Sequence, residues 1–230
     1  MKVDIILPTY NRARLVHTAI KSVLSQNSGN WDLWVYDDGS DYDFKGQVID
    51  KYNDPRIHFF QGPKMSAEKR FGTCRYGVVI NMLLKKSGNE IVSYLCDDDY
   101  YWPEAIAGAI QFFQKNPDKF IGFGILTFSE PGQENQPRES RKRRYCTVPI
   151  GHPFRALDHN QVVHRRVCLQ QARWEEGTQA WPRGDAHFFR QLGQKHLFHP
   201  MGVWFANKYM HPRRTQALWP QKDARSKIRE

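Results

Sequence analysis

Three consecutive carboxylates, Asp97, Asp98 and Asp99, follow the apolar stretch Glu90 to Cys96. Like charges gathered at the end of a buried strand repel one another unless a cation neutralises them. A hard divalent ion is the matching partner, because Mn²⁺ or Mg²⁺ takes oxygen ligands and is commonly held by one or two carboxylates plus the phosphates of a substrate. A solvated acidic turn would carry the same residues, so a second acidic pair matters. Asp37-Asp38-Gly39-Ser40 ends another apolar stretch. Asp before Gly suits a turn, and a carboxylate there can also accept from the imide N–H of uracil or thymine.

Such groups act together only if the chain brings their strand ends to one place. Val3 to Leu7 is mostly apolar and branched, which predicts a strand buried on both faces and ended by Pro8-Thr9-Tyr10-Asn11. A helix over Arg12–Gln26 follows, with Asn11 as its N-cap. Further strands are predicted over 32–36, 56–60, 90–96 and 120–128, with helices over 67–86, closing at Gly88, and 104–115. Strands separated by helices pair in parallel through right-handed crossovers, and ligands of such sheets sit outside the carboxyl ends of the strands. The expected fold is therefore α/β, a doubly wound, mostly parallel sheet. Residues 1–103 form the nucleotide-binding half, 104–206 a second half, and 207–230 a basic tail or lid. Glu130 to Arg144, polar and carrying Arg141-Lys142-Arg143-Arg144, reads as a mobile surface loop.

The chain has 230 residues, 40% of them hydrophobic, enough for one substantial core. Its net charge of +10 implies a surface that attracts anions: a nucleotide, a nucleic acid, an anionic glycan or an acidic membrane face. Four cysteines without a C-x-x-C pair indicate neither a zinc knuckle nor a disulfide framework. The apolar run at Val3–Leu7 is too short for a signal-peptide core, and no run approaches membrane-spanning length. The expected location is the cytoplasm, with peripheral membrane contact through the basic surface.

Leu7-Pro8-Thr9-Tyr10-Asn11, Asp37-Asp38-Gly39-Ser40 and the acidic triplet followed by Pro103 resemble glycosyltransferase family 2, whose fold is GT-A. Glu68-Lys69-Arg70, Thr73-Cys74-Arg75-Tyr76, Ala156-Leu157-Asp158-His159, Val163-His164-Arg165 and Arg183 to Phe189 extend that likeness to the branch of the family that builds spore-coat polysaccharide. The resemblance implies an inverting sugar transfer from a UDP- or dTDP-sugar to a hydroxyl of a glycan or small acceptor, aided by Mn²⁺ or Mg²⁺. It puts Thr9 and Tyr10 around the nucleotide, Asp38 on the base, Arg70 beside the nucleotide and Asp97 on the ribose or behind the metal ligands. Asp98 becomes the direct metal ligand, with Asp99 as a second candidate, and Asp185 the catalytic base. Two residues depart from the pattern: Cys96 stands where many members carry an aspartate, and Asp99 replaces an amide.

Asp185 also has a direct argument, since an acceptor hydroxyl needs a carboxylate to take its proton. It could equally cap a helix starting near Ala186. His159 and His164 could flank the acceptor, although histidines on mixed strands usually have structural partners. His211, Arg213 and Arg214 could close over a diphosphate. Trp102, Trp174 and Trp181 could face sugar rings or simply pack. Two other classes compete. A nucleotidyltransferase making nucleotide sugars should show a Gly-rich basic loop after the first strand, which Pro8 to Arg14 lacks. An RNA- or anionic-glycan-binding module would account for the charge but not for the acidic crevice, and no nucleic-acid partner is expected.

Overall fold

A computed structural model describes residues 1–130, 138–139 (backbone only), 147–151, 153, 156–178 and 183–210. The first half alternates as expected. β1 (Val3–Thr9) leads into α1 (Ala13–Leu24), β2 (Trp31–Asp37), a short α2 (Phe44–Gln47) and β3 (Ile57–Gln61). Two helices, α3 (Ala67–Phe71) and α4 (Arg75–Lys86), precede β4 (Ile91–Tyr94). β1 pairs in parallel with both β2 and β4, and β2 with β3.

The second half is mixed. β5 (Tyr100–Tyr101), α5 (Ala105–Lys115), β6 (Ile121–Ser129), β7 (Arg138–Glu139), β8 (Val162–Arg165), α6 (Gly184–Gly193) and β9 (Phe198–Tyr209) complete the described elements. The sheet order is β3-β2-β1-β4-β8-β6-β9-β5, with β7 on β6. β8 runs antiparallel to β4 and β6, whereas β6 and β9 are parallel. Apolar side chains form one core on each sheet face. Val3, Ile5 and Leu7 pack with α1 and α5, and Ile6, Val92 and Tyr94 pack with α4 and α6. The alternation follows from the two-residue period of a strand covered on both sides.

Three expectations are corrected. Asn11 does not cap α1; Arg12 occupies that position, and Asn11 takes a left-handed φ of 53°. The helix predicted over 67–86 is broken at Gly72–Cys74, because the Cys74 amide donates to the Glu176 carbonyl at 2.7 Å instead of continuing a helical ladder. Gly77 admits that passing strand of chain: a Cβ there would lie 2.2 Å from the Glu175 oxygen. Finally, β9 runs to Tyr209, so Asn207, Lys208 and Tyr209 belong to the sheet rather than to a basic tail. Most of the loop predicted over 130–144 lies outside the described residues, and within it Arg138–Glu139 pairs antiparallel to β6.

Candidate active site

The carboxyl ends of β1, β2 and β4 meet at one rim. The Asp38 amide donates to the Thr9 carbonyl at 2.9 Å, and the Leu95 amide to the Ile6 carbonyl at 3.0 Å. Asn11 ties the first two strand ends together: its amide donates to Ser40 Oγ at 2.8 Å and its Nδ2 to Asp41 at 2.7 Å. A left-handed turn is tolerable for Asn, whose short polar side chain bonds locally. Gly39, with φ of 76°, is required next to Asp38, because a Cβ would lie 2.3 Å from the Pro63 oxygen. Asp37 is fully buried under this turn and accepts from Ser40 and Gln61; burial raises its pKa despite those bonds.

Asp38 is also buried, and two guanidinium groups hold it. Arg70 Nη1 donates to Oδ2 at 2.6 Å, while Arg75 donates through Nε to Oδ2 at 3.1 Å and through Nη2 to Oδ1 at 2.5 Å. Positions five apart in an unbroken helix face about 140° apart. The break at Gly72–Cys74 is what lets both arginines reach one carboxylate. The Arg70 guanidinium also lies 3.5 Å from the centroid of the Tyr10 ring, and its Nε is buried without a hydrogen-bond partner.

The acidic triplet is organised differently. Asp97 accepts from Thr9 Oγ1 at 2.8 Å, and Asp98 from Arg12 Nη1 at 2.7 Å. Asp99 is 1% exposed and accepts from Asn160 Nδ2 at 2.6 Å and from the Tyr209 amide at 2.9 Å. Burial, followed by the charge of Asp98, pushes the Asp97 carboxyl up to about 7 against the pull of Arg12 and Thr9. The same two causes raise Asp99 well above the usual carboxylate range. Lys208 reaches in from β9 and pairs with Asp158. Burial works to raise the Asp158 carboxyl, but Lys208, His159 and the bonds it accepts outweigh burial and leave it depressed. Ligand atoms of Cys96, Asp98 and Asp99 all lie within 4.8 Å of one another. Carboxylate oxygens at that spacing suit a hard cation, and mutual repulsion makes them want one.

Thr9, Tyr10, Asp38, Arg70 and Asp97–Asp99 thus come together as the sequence implied. Asp185 is the second residue of α6, in its first turn rather than at its cap, which is Arg183. It accepts from the Ala186 amide at 2.8 Å. α6 is docked there by Gly184, whose amide donates to the Tyr76 hydroxyl at 3.0 Å; a Cβ at Gly184 would lie 2.0 Å from that oxygen. His159 faces the triplet, with Nε2 3.0 Å from Cys96 Sγ. His164 is fully buried, bonded to the Tyr94 hydroxyl at 2.8 Å, and burial drops its pKa to about 4, a structural imidazole. Trp174 is core, stacked at 4.7 Å on Phe188, whereas Trp102 is partly buried, its Nε1 donating to Thr127 Oγ1 and its ring 5.0 Å from that of Trp204. His211, Arg213, Arg214, Trp181 and Arg141–Arg144 lie outside the described residues.

Besides Arg12 and Arg75, whose pairing with Asp98 and Asp38 no spacing announced, two further residues escaped the sequence reading. Lys208 fell in the supposed tail, and Asn160 carried no motif; Asn160 is fully buried, its Oδ1 accepting from the Cys96 amide at 2.7 Å while its Nδ2 serves Asp99. A β-like run from Val203 to Tyr209, following Pro200 and Gly202, was the available signal for Lys208.

Comparisons with known proteins bear on the family and the fold. The model for glycosyl transferase family 2 matches residues 4–172. Protein CgeD of Bacillus subtilis is 30% identical over 221 residues, 92% of this chain and 50% of CgeD, so the chain spans about half the length of that relative. The E. coli UDP-Glc:alpha-D-GlcNAc-diphosphoundecaprenol beta-1,3-glucosyltransferase WfgD is 29% identical over 52% of this chain and 44% of its own. Among solved structures, residues 1–349 of S. aureus TarS superpose with a TM-score of 0.71 at 18% identity, covering 91% of this chain and 60% of that one. The TarS complex with UDP-GlcNAc gives 0.70 at 17% identity, covering 92% and 59%. The fold is GT-A. With a family model that runs from β1 past β8, the chain belongs to glycosyl transferase family 2.

Proposed function

We propose that the chain is a metal-dependent, inverting glycosyltransferase that moves a sugar from a UDP- or dTDP-sugar to a hydroxyl of a glycan or small acceptor, in polysaccharide or glycoconjugate assembly. The observation that carries this reading is the under-compensated acidic triplet beside Thr9, Asp38 and Arg70 at one sheet rim. TarS binding UDP-GlcNAc and the UDP-Glc named as donor for WfgD support a UDP-sugar.

In this reading Thr9 and Tyr10 border the nucleotide. Asp38 accepts from the base imide N–H with the lone pair its two arginines leave, and the orphaned Nε of Arg70 finds its acceptor on the nucleotide. Asp97 meets the ribose. Mn²⁺ or Mg²⁺ would be held by Asp98, with Asp99 behind it, and supplies charge neutralisation for the departing diphosphate. Asp185 takes the proton of the acceptor hydroxyl as that oxygen attacks the anomeric carbon, so one carboxylate suffices and the enzyme forms no covalent intermediate. His211 and Arg213 are assigned as basic groups for the diphosphate, the role a guanidinium or imidazolium suits. His159, beside the triplet, borders the acceptor. We place the enzyme in the cytoplasm, its net charge of +10 favouring contact with an anionic membrane surface. Among the described residues no helix is long and apolar enough to cross a membrane.

The test is release of UDP or dTDP from a panel of nucleotide sugars with and without Mn²⁺, alongside thermal stabilisation. A donor at a hundred times its dissociation constant adds about 2.7 kcal/mol of stability. Metal-independent RNA binding with no donor turnover would replace this reading with a binding module.

A further inference from the structure

We propose that Cys96 and Asp98 form a mixed sulfur–oxygen site for a thiophilic divalent cation of the Zn²⁺, Cd²⁺ or Co²⁺ kind, at the rim assigned above to the hard cation. The proposal rests on the functional reading only in expecting such ions to compete with Mn²⁺; the donor set stands by itself. Sγ of Cys96 and carboxylate oxygens of Asp98 and Asp99 lie within 4.8 Å of one another. His159 adds an imidazole nitrogen 3.0 Å from the sulfur. This is neither a lone thiol nor a purely acidic cluster, and its parts are held from behind. Asn160 accepts from the Cys96 amide at 2.7 Å and donates to Asp99 at 2.6 Å, which fixes the spacing between the sulfur-bearing and oxygen-bearing residues. The ring of His159 meets the edge of buried Trp174, 5.9 Å between centroids, so the imidazole is aimed at the thiol by packing.

Ligand softness decides what such a set prefers. Thiolate and imidazole favour Zn²⁺ and its neighbours, whereas carboxylate alone suits Mg²⁺ and Mn²⁺. When the sulfur–metal bond forms, the S–H bond breaks and its proton is released to the buffer, which leaves His159 Nε2 unprotonated as the nitrogen donor. Cys74 and Cys168 are fully buried in the core and free of disulfides, so neither competes for the ion.

Titration of the full chain with Co²⁺ under reducing conditions tests this. The expected result is a thiolate-to-Co²⁺ charge-transfer band in the near ultraviolet that disappears in Cys96→Ser and in Cys96→Asp. Cd²⁺ affinity, measured by calorimetry, should fall at least about tenfold in Cys96→Ser, the lower end of what losing even a ligand's supporting partner costs. The change for Mn²⁺ should be smaller. Absence of the band in the unaltered chain, which needs no variant to fold, overturns the proposal, as does a band that survives in both variants. Donor turnover with Mn²⁺ is measured on the same preparation. Turnover without a band sinks the thiol site and leaves the transferase reading intact, whereas a band without turnover on any donor does the reverse.

Discussion

Two carboxylate clusters share one sheet rim and are compensated in opposite ways. At Asp38, two arginines converge on a single buried carboxylate and satisfy it with charge-assisted hydrogen bonds. At the triplet, the four carboxylates of Asp97, Asp98, Asp99 and Asp158 are paired in the described structure with two cations, Arg12 and Lys208. Arginine keeps its charge under all conditions, so the first cluster is a finished structural unit with donor capacity left over. The second is short of positive charge, and Asp97 and Asp99 answer by holding protons more tightly than free carboxylates do. The difference separates a group that orients from a group that recruits a cation.

The largest effect should come from a residue outside both clusters. Asp185→Asn is expected to lower sugar transfer by about 10² to 10⁴-fold while leaving donor affinity unchanged, as single-turnover assays beside equilibrium binding would read. Transfer that survives would move the base elsewhere. Next, Asp98→Asn should weaken Mn²⁺-dependent donor binding by about a hundredfold. Undiminished Mn²⁺ dependence would mean that the triplet does not recruit the ion, and the contrast with Asp38 would lose its meaning. Asp38→Asn, by contrast, strands the buried guanidinium of Arg70 and the partly buried one of Arg75, and should cost about 3 kcal/mol of stability in urea unfolding. A loss of donor binding with full stability would show that the clamp is not structural. The smallest change is predicted for Arg12→Gln: removing the competing cation beside Asp98 should tighten Mn²⁺ binding by roughly fivefold, about 1 kcal/mol. Weaker binding instead would make Arg12 a helper of the metal site rather than its rival.

Legibility followed the range of the interactions involved. β1, β2 and β4 were readable because a strand covered on both faces is a continuous apolar run, and each ended in polar residues that had nowhere else to go. Asp38-Gly39 was readable for a local reason, the positive φ at Gly39. The break between α3 and α4 was not, because residues 67–86 carry an acceptable helical period and only the passage of Glu175–Glu176 against Cys74 and Gly77 interrupts it. Trp174 shows the same limit: nothing nearby in sequence distinguishes a sugar platform from a ring stacked on Phe188.

By itself, then, the order of residues determined a half-sheet with its acidic strand ends at one rim, and the family to which such an order belongs, since both can be read from patterns local to each segment: apolar runs that make strands covered on both faces, and the polar residues that end them. Only the tertiary structure decided that Arg70 and Arg75 would share Asp38, that Lys208 and Tyr209 would return from β9 to the triplet, and that Asn160 would tie Cys96 to Asp99. Those pairings join residues 32 to 110 positions apart. Their energies come from burying charged groups against one another, a quantity that exists only once the sheet has closed around them.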